Sequence, residues 1–213
     1  MKKTIYVFLG LPASGKGTQA KILAEKLNIK MVSAGDLIRQ IIAEGGDDPF
    51  VVEIRKRYDA GIPQPDEVVI DLFRTFLDEA KGSVILDNFP FSVGQAEFLT
   101  NYVNNHSDEW NEPKIIFIKV DSEMAIKRAI TRKVCMSCGA IYGAIDEMIC
   151  EKCSGPLVVR SDDNEDTMRN RIKQYVPRLN ELVEYYSKDN GEVIEIDGSL
   201  SVPEVASRIE KKL

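Results

Sequence analysis

Residues 10–18 read Gly-Leu-Pro-Ala-Ser-Gly-Lys-Gly-Thr and separate two segments of different periodicity. Residues 4–9 are rich in β-branched and aromatic side chains, which is typical of a buried strand. From residue 15 to residue 27, apolar side chains recur at helical spacing. A glycine-rich turn between a strand and a helix lets backbone N–H groups approach phosphate oxygens, and the helix N-terminus favours negative charge. The sequence therefore predicts a phosphate-binding loop, from which Lys16 reaches the β- and γ-phosphates.

The loop departs at its end from the usual pattern G-x-x-x-x-G-K-[ST]. Gly17 occupies the position at which Ser or Thr usually binds magnesium, and Thr18 comes one residue later. Magnesium must therefore be held by waters and by a carboxylate elsewhere. Asp87 directly follows the apolar residues 84–86, and the carboxyl end of a buried parallel strand lies near such a loop. We expect Asp87 to hold magnesium through water.

The remaining chain alternates predicted strands and helices. Its 213 residues suit one large domain, or one core with inserts. Further strands are predicted at 30–32, 83–86, 115–120 and 193–196, and further helices at 36–43, 50–58, 66–80, 123–131, 164–187 and 202–213, with a kink at Pro177. This alternation predicts an α/β fold with a parallel sheet that helices cover on both faces.

Charge and hydropathy exclude several classes of protein. The net charge of -6 argues against a duplex nucleic-acid binder that depends on overall positive charge. No apolar run reaches the ~18 residues that a membrane span needs. Lys2 and Lys3 precede an apolar run, as in a signal peptide, but Gly10 and Pro12 interrupt it. We therefore expect a cytoplasmic protein with neither a nucleic-acid nor a membrane partner.

Four cysteines interrupt the alternating pattern. Cys135 and Cys138 form one C-x2-C pair, and Cys150 and Cys153 form a second pair eleven residues later. Two such pairs suit a tetrahedral zinc site. Two disulfides are the alternative, which a cytoplasmic compartment disfavours. A catalytic metal usually has a histidine ligand, and His106 is distant in sequence, so structural zinc is predicted, stiffening an insert too small for its own core.

Several motifs together resemble the adenylate kinases and the wider nucleoside monophosphate kinase family. They are Gly15-Lys-Gly-Thr-Gln19, Ser33-Ala-Gly-Asp-Leu-Ile-Arg39, Leu86-Asp-Asn-Phe-Pro90 with Gln95, and Arg160-Ser-Asp-Asp-Asn164 followed by Arg171. The resemblance covers essentially the whole chain, and the four-cysteine segment resembles the zinc-bearing lid of the long form. It implies a phosphate-loop core at 1–32, 65–131 and 161–213, an insert at 33–64 that binds the nucleoside monophosphate, and a zinc-binding lid at 132–160.

The same resemblance implies a reaction and a set of site residues. The reaction is reversible, magnesium-dependent transfer of the ATP γ-phosphoryl group to AMP, giving two ADP, by a monomer. The implied catalytic residues are Lys16, Asp87, Arg132, Arg160 and Arg171. ATP is expected to contact Gly10, Ala13, Ser14, Gly15, Lys16, Gly17, Thr18, Arg128 and Arg132. AMP is expected to contact Ala34, Arg39, Asn88, Gln95, Arg160 and Arg171. Asp162 and Asp163 are expected at the start of a helix, as caps or in lid closure.

Three departures leave other functions open. Phe91 stands where the family places an arginine on the acceptor phosphate, which suggests a weakened enzyme that acts as a nucleotide-binding regulator. Asn88 replaces a glycine, a mild change because Asn tolerates the left-handed conformation. Ala34 and Pro65 favour the uridylate/cytidylate branch or a broad acceptor range, whereas Gln95 favours adenine, because an amide can pair with its donor–acceptor edge.

Overall fold

A computed structural model describes residues 2–59, 62, 64–159, 163–188 and 192–213. Its centre is a five-stranded sheet whose strands are all parallel. The strands are β1 (Ile5–Gly10), β2 (Lys30–Ser33), β3 (Val84–Asp87), β4 (Lys114–Lys119) and β8 (Val193–Asp197), in the spatial order β2-β3-β1-β4-β8. The predicted parallel sheet is confirmed, and β1 lies at its middle.

Helices cover both faces of the sheet. They are α1 (Lys16–Leu27), α2 (Ala34–Glu44), α3 (Pro49–Asp59), α4 (Asp66–Glu79), α5 (Val93–Asn105), α6 (Ser122–Thr131), α7 (Glu165–Ser187) and α8 (Val202–Lys212). Alternate residues of β1 enter different cores: Ile5 and Val7 pack with α4, α5 and α7, whereas Phe8 packs with α1 and α8. Burial on both faces explains why the predicted strands are continuous apolar runs.

Helix α5 was not predicted, although its sequence carries signals for it. The side chain of Ser92 caps the helix by accepting a hydrogen bond from the Gln95 N–H group. Ala96, Leu99 and Val103 then recur at helical spacing and are buried. The capping residue and this spacing are the signals that sequence analysis overlooked.

The four-cysteine segment forms a second, small sheet. Strands β5 (Lys133–Cys135), β6 (Ile141–Tyr142) and β7 (Leu157–Val158) pair antiparallel in the order β6-β5-β7. Its own buried cluster contains only Cys135, Ala140, Cys150 and Leu157. The segment therefore has a sheet of its own and a small apolar cluster, which by itself supplies little stability.

Two helix boundaries matter for the site. Helix α2 begins at Ala34, two residues earlier than predicted, because Ser33 and Asp36 form a reciprocal capping box. Helix α7 continues through Pro177. Among the residues that the structure describes, no helix combines the length and the hydropathy needed to cross a bilayer.

Candidate active site at the phosphate-binding loop

The predicted loop connects β1 to α1, and two of its glycines have positive φ angles. At Gly10, φ is +153°, and a Cβ atom would lie 2.7 Å from the backbone oxygen of Ile118. At Gly15, φ is +96°, and this residue begins α1 without a side-chain cap. The first N–H groups of α1 therefore have no capping side chain, which suits an anion. The buried Oγ atom of Ser14 also has no hydrogen-bond partner among the described residues.

Lys16 is the first residue of α1 and is half-buried rather than exposed. Its Nζ atom donates a hydrogen bond to the backbone oxygen of Leu11 at 3.2 Å. Burial lowers the pKa of Lys16, whereas the negative charge of Asp87 raises it, and the charges of Arg171 and Arg132 lower it further. Lys16 thus lies within electrostatic reach of three other predicted site residues.

Asp87 ends β3, which pairs with β1 so that Asp87 lies opposite Phe8. Burial raises the pKa of Asp87, although the ammonium group of Lys16 acts in the opposite direction. Its Oδ1 atom is buried and has no hydrogen-bond partner among the described residues. A Cβ atom at Gly17 would lie 3.6 Å from the other carboxylate oxygen, so the loop passes directly over this side chain. A buried carboxylate with an unpaired oxygen at this place fits hydrated magnesium.

Replacing Asp87 with asparagine should stabilise the folded protein at neutral pH. The folded-state pKa of Asp87 is raised above the ordinary value of 3.8, so the unfolded chain loses this proton first as pH rises. The free energy of unfolding therefore falls as pH rises through the folded-state pKa, and the neutral amide avoids this loss. Thermal unfolding of both proteins between pH 4 and pH 8 measures the effect.

The melting temperature of Asp87→Asn should exceed that of the parent at pH 7, with the difference shrinking toward pH 4. Asp108 is exposed and provides the matched control. The melting temperature of Asp108→Asn should stay close to that of the parent throughout this pH range. A lower melting temperature for Asp87→Asn than for the parent at pH 7 would contradict the raised pKa of Asp87 in the folded protein.

Of the predicted arginines, Arg128 contacts this loop directly, and Arg132 and Arg171 are within electrostatic reach of Lys16. Arg128 donates to the backbone oxygen of Ser14 at 3.3 Å. Arg132 makes a bidentate pair with Asp163, with both N···O distances at 2.7 Å, and the Asp163 side chain is fully buried. Arg171 is half-buried on α7. Arg160 and Asp162 lie outside the described residues.

Of the two roles expected for Asp163, the helix cap is wrong, and a part in lid closure stays a prediction. Asn164 caps α7 instead, with its side chain accepting a hydrogen bond from the Thr167 N–H group. Asp163 is committed to Arg132, because a buried carboxylate requires a charged partner. The pair leaves no local signal in the sequence, since its two members are 31 residues apart.

On the acceptor side, Arg39 is exposed on α2 and pairs with Asp36 at 2.6 Å. It also donates to the Tyr58 hydroxyl at 3.3 Å. Ala34, the first residue of α2, packs on the main core. The charge of Asp36 raises the pKa of Asp87, so the start of α2 lies within electrostatic reach of the loop.

The turn after β3 contains Asn88, whose φ of +59° confirms the expected left-handed conformation. Gln95 follows on α5 and is only 3% exposed. Its Oε1 atom accepts from the Phe91 N–H group at 2.8 Å, and its Nε2 atom donates to Asp66 at 2.7 Å. Both ends of the amide are therefore paired within the protein, and pairing with a base would require these bonds to be exchanged.

The turn also reveals a contact that sequence analysis missed. The ring of Phe91 lies 4.7 Å from the ring of Tyr175, and the guanidinium carbon of Arg178 lies 4.8 Å from the Phe91 ring centroid. The sequence identified Phe91 as a departure from the family pattern, but nothing in it indicates which residue of α7 packs on the ring.

The four cysteine Sγ atoms all lie within 4.8 Å of one another. Two of the sulfur–sulfur distances are 3.4 Å, between Cys135 and Cys153, and 3.6 Å, between Cys138 and Cys150. Four thiolates at about 2.3 Å from one zinc ion would be about 3.8 Å apart, whereas a disulfide requires about 2.05 Å. All four are free cysteines. The Tyr142 hydroxyl lies 3.2 Å from Cys150 Sγ, and this hydrogen bond, together with the backbone N–H groups of Cys153 and Lys152, lowers the pKa of the Cys150 thiol to about 6. The cluster is therefore compatible with a structural zinc site.

Comparisons with known proteins agree with this arrangement. The family model described as "Adenylate kinase" matches residues 8–191. The chain is 36% identical over 214 residues to the adenylate kinase of Alkaliphilus oremlandii, covering 97% of each chain. It is 34% identical over 215 residues to that of Kosmotoga olearia, again over 97% of each, and 36% identical over 206 residues to that of Clostridioides difficile, over 93% of each. The chain therefore belongs to the adenylate kinase family.

Proposed function

We propose that this protein transfers the γ-phosphoryl group of magnesium-ATP reversibly to AMP, giving two ADP, and that it acts as a monomer. The observation that carries the proposal is the position of Lys16 and Asp87 beside the phosphate-binding loop, with Arg132 and Arg171 in electrostatic reach of Lys16. Phosphoryl transfer needs mainly positioning and charge stabilisation, and such a cluster of cations supplies both.

On the donor side, the N–H groups of residues 10–18 and the N-terminus of α1 bind the phosphates of ATP, and Lys16 contacts the β- and γ-phosphates. Arg128 is on α6, its side chain donates to the loop backbone at Ser14, and it stacks on the donor base. Arg132, Arg160 and Arg171 contact the transferring group, since a guanidinium can bind two phosphate oxygens at once. Asp87 would hold magnesium through water, and the metal would supply neutralisation of the phosphate charge.

On the acceptor side, Arg39 binds the monophosphate, with Ala34, Asn88 and Gln95 around the nucleotide. Arg39 is already extended between Asp36 and Tyr58, so a phosphate would replace an exposed ion pair that contributes little. The acceptor phosphate is already an anion, so no general base is required.

Two inserts are proposed to cover the nucleotides. Residues 33–64, which include α2 and α3, cover AMP, and residues 132–160 form the lid over ATP. Zinc held by the four cysteines stiffens this lid, whose own apolar cluster is small. Closure of the lid excludes water, so that hydrolysis does not compete with transfer.

Two specific observations favour other candidates. Ala34 and Pro65 favour a uridylate/cytidylate kinase or a kinase with a broad acceptor range. Phe91 adds no positive charge beside the acceptor, which favours a regulator that binds nucleotides without efficient transfer.

Direct product analysis tests the proposal. Purified protein is incubated with magnesium-ATP and, separately, AMP, UMP, CMP or GMP, and the nucleotides are resolved by anion-exchange chromatography. ADP should accumulate chiefly with AMP, and Lys16→Ala protein prepared in parallel excludes a contaminating kinase. Faster formation of UDP or CDP would assign the protein to the pyrimidine branch. ATP binding without any diphosphate product would favour the regulator.

A further inference from the structure

A narrow pocket lies between the phosphate-binding loop, the turn after β3 and helix α7. Its lining includes Gly10, Lys16, Asn88, Phe91, Tyr175 and Arg178. Two of these side chains are cations, and none of the residues that line the pocket is a carboxylate. The rest of the lining is mostly apolar, so Lys16 and Arg178 are the two groups through which this pocket, beside a phosphate-binding loop, attracts an anion.

Arg178 presents unused hydrogen-bonding capacity at this pocket. Arg178 is exposed, its guanidinium group packs on the Phe91 ring, and it makes no hydrogen bond or ion pair with another described residue. Arg169, on the same helix, differs because it bonds to Glu123 and Glu165. A guanidinium carries five N–H donors in a fixed plane, and an aromatic ring can orient that plane without using any of them.

The periodicity of α7 places Arg178 on the face that carries another site residue. Arg171, Tyr175 and Arg178 are spaced i, i+4 and i+7, and such residues share one helix face. Tyr175 and Arg178 line one pocket with Gly10 and Lys16, so this face is directed toward the loop. Residues 88–91 of the turn read Asn-Phe-Pro-Phe and contribute no cation of their own.

We propose that Arg178 is a phosphate-binding residue of the acceptor site, held by the Phe91 ring beside the turn after β3. Its guanidinium donates to oxygens of the nucleoside monophosphate on the side that faces Lys16. Phe91 then serves as the aromatic support of a cation supplied by α7. This inference rests on the proposed kinase function, which it deepens by assigning an acceptor contact.

The test compares Arg178→Met with the parent in steady-state kinetics and in binding. A hydrogen bond to a charged group is worth about 10- to 100-fold in affinity, so Arg178→Met should lower kcat/KM for AMP by about that factor while KM for ATP changes less than about twofold. Arg178→Lys should recover part of the loss, because it keeps the charge without the planar fork. Introducing Phe91→Arg into the Arg178→Met protein should also recover activity, because it returns a guanidinium to the same turn.

The matched control is Arg74→Met. Arg74 lies on α4 with its guanidinium carbon 5.2 Å from the Phe98 ring centroid, an equivalent stacking contact, and it is exposed. Its replacement should leave kcat/KM for AMP unchanged. If Arg178→Met also retains kcat/KM within about twofold, or if neither Arg178→Lys nor Phe91→Arg recovers any loss, the assignment is wrong.

A binding measurement separates this inference from the proposed function. AMP alone should raise the melting temperature of the parent, and raise it less in Arg178→Met, whether or not ADP is formed. A parent that binds AMP through Arg178 but forms no ADP would refute the kinase proposal and keep the binding assignment. Equal AMP-induced shifts in both proteins would overturn the assignment while leaving an active kinase intact.

Discussion

Lys16→Ala protein is expected to form ADP at least about 100- to 1,000-fold more slowly than the parent, the loss typical when one preorganised donor to a developing charge is removed. Lys16 lies at the start of α1, and its pKa is lowered because burial disfavours its charge. An ammonium group in such a place interacts strongly with a bound phosphate, because little water competes with it. Initial rates with magnesium-ATP and AMP, measured with each substrate varied, give the size of the loss.

The folded structure should survive this substitution. Burial opposes the charge of Lys16, so removing the ammonium group relieves this cost and offsets the loss of the hydrogen bond to Leu11 and of the attraction to Asp87. Lys21→Ala is the matched control, since Lys21 is exposed on the same helix. Both variants should unfold within a few degrees of the parent, but only Lys16→Ala should lose activity. A Lys16→Ala protein as active as the Lys21→Ala protein would refute the phosphate-loop assignment.

Loss of zinc is the second large effect. Purified protein should contain one zinc ion per chain, and chelation or Cys150→Ser should remove it and lower the melting temperature by about 10 °C. The reason is that β5, β6 and β7 share only a small apolar cluster, so a bound metal is expected to supply most of the stability of this segment. The initial rate of ADP formation at 25 °C should be affected less strongly than the melting temperature, because no cysteine contacts a nucleotide in the proposed mechanism.

Metal analysis and thermal unfolding distinguish the loss of zinc from a non-specific effect of a substitution in residues 132–160. Met136 lies between two of the cysteines and is 69% exposed, so Met136→Ser should retain zinc and the parent melting temperature. An intact protein that contains no metal would exclude the zinc site. A metal-free protein with an unchanged melting temperature would show that the ion has no structural role.

The fold was largely predictable because both faces of its sheet are buried. Strands such as β1 and β4 are therefore continuous apolar runs, and the glycines of the phosphate loop mark the strand–helix junction. Helix α5 was missed although the Ser92 cap and the buried Ala96 and Leu99 indicate it. A capping residue and apolar residues at helical spacing are local signals, so this helix can be predicted from the sequence alone.

The contacts of the candidate site were less predictable, because they join distant segments. Gln95 on α5 donates a hydrogen bond to Asp66 on α4, and the ring of Phe91, in the turn after β3, packs on Arg178 of α7. Motifs identify the residue types at a site, but only packing decides which side chains are already engaged. This is why the sequence indicated that Gln95 is available to a base, whereas the structure pairs both ends of its amide.

The Arg132–Asp163 pair has a consequence for changes in chain length. It joins the residue before β5 to the residue near the start of α7, with both N···O distances at 2.7 Å. The two ends of the intervening segment are thus held together by this ion pair. Lengthening a segment whose ends are already joined adds little entropic cost to folding. Insertions and deletions within it should leave α6 and α7 in register with the sheet. The same two residues define a graft junction, across which a differently sized metal-binding or metal-free segment can be exchanged without redesigning the core.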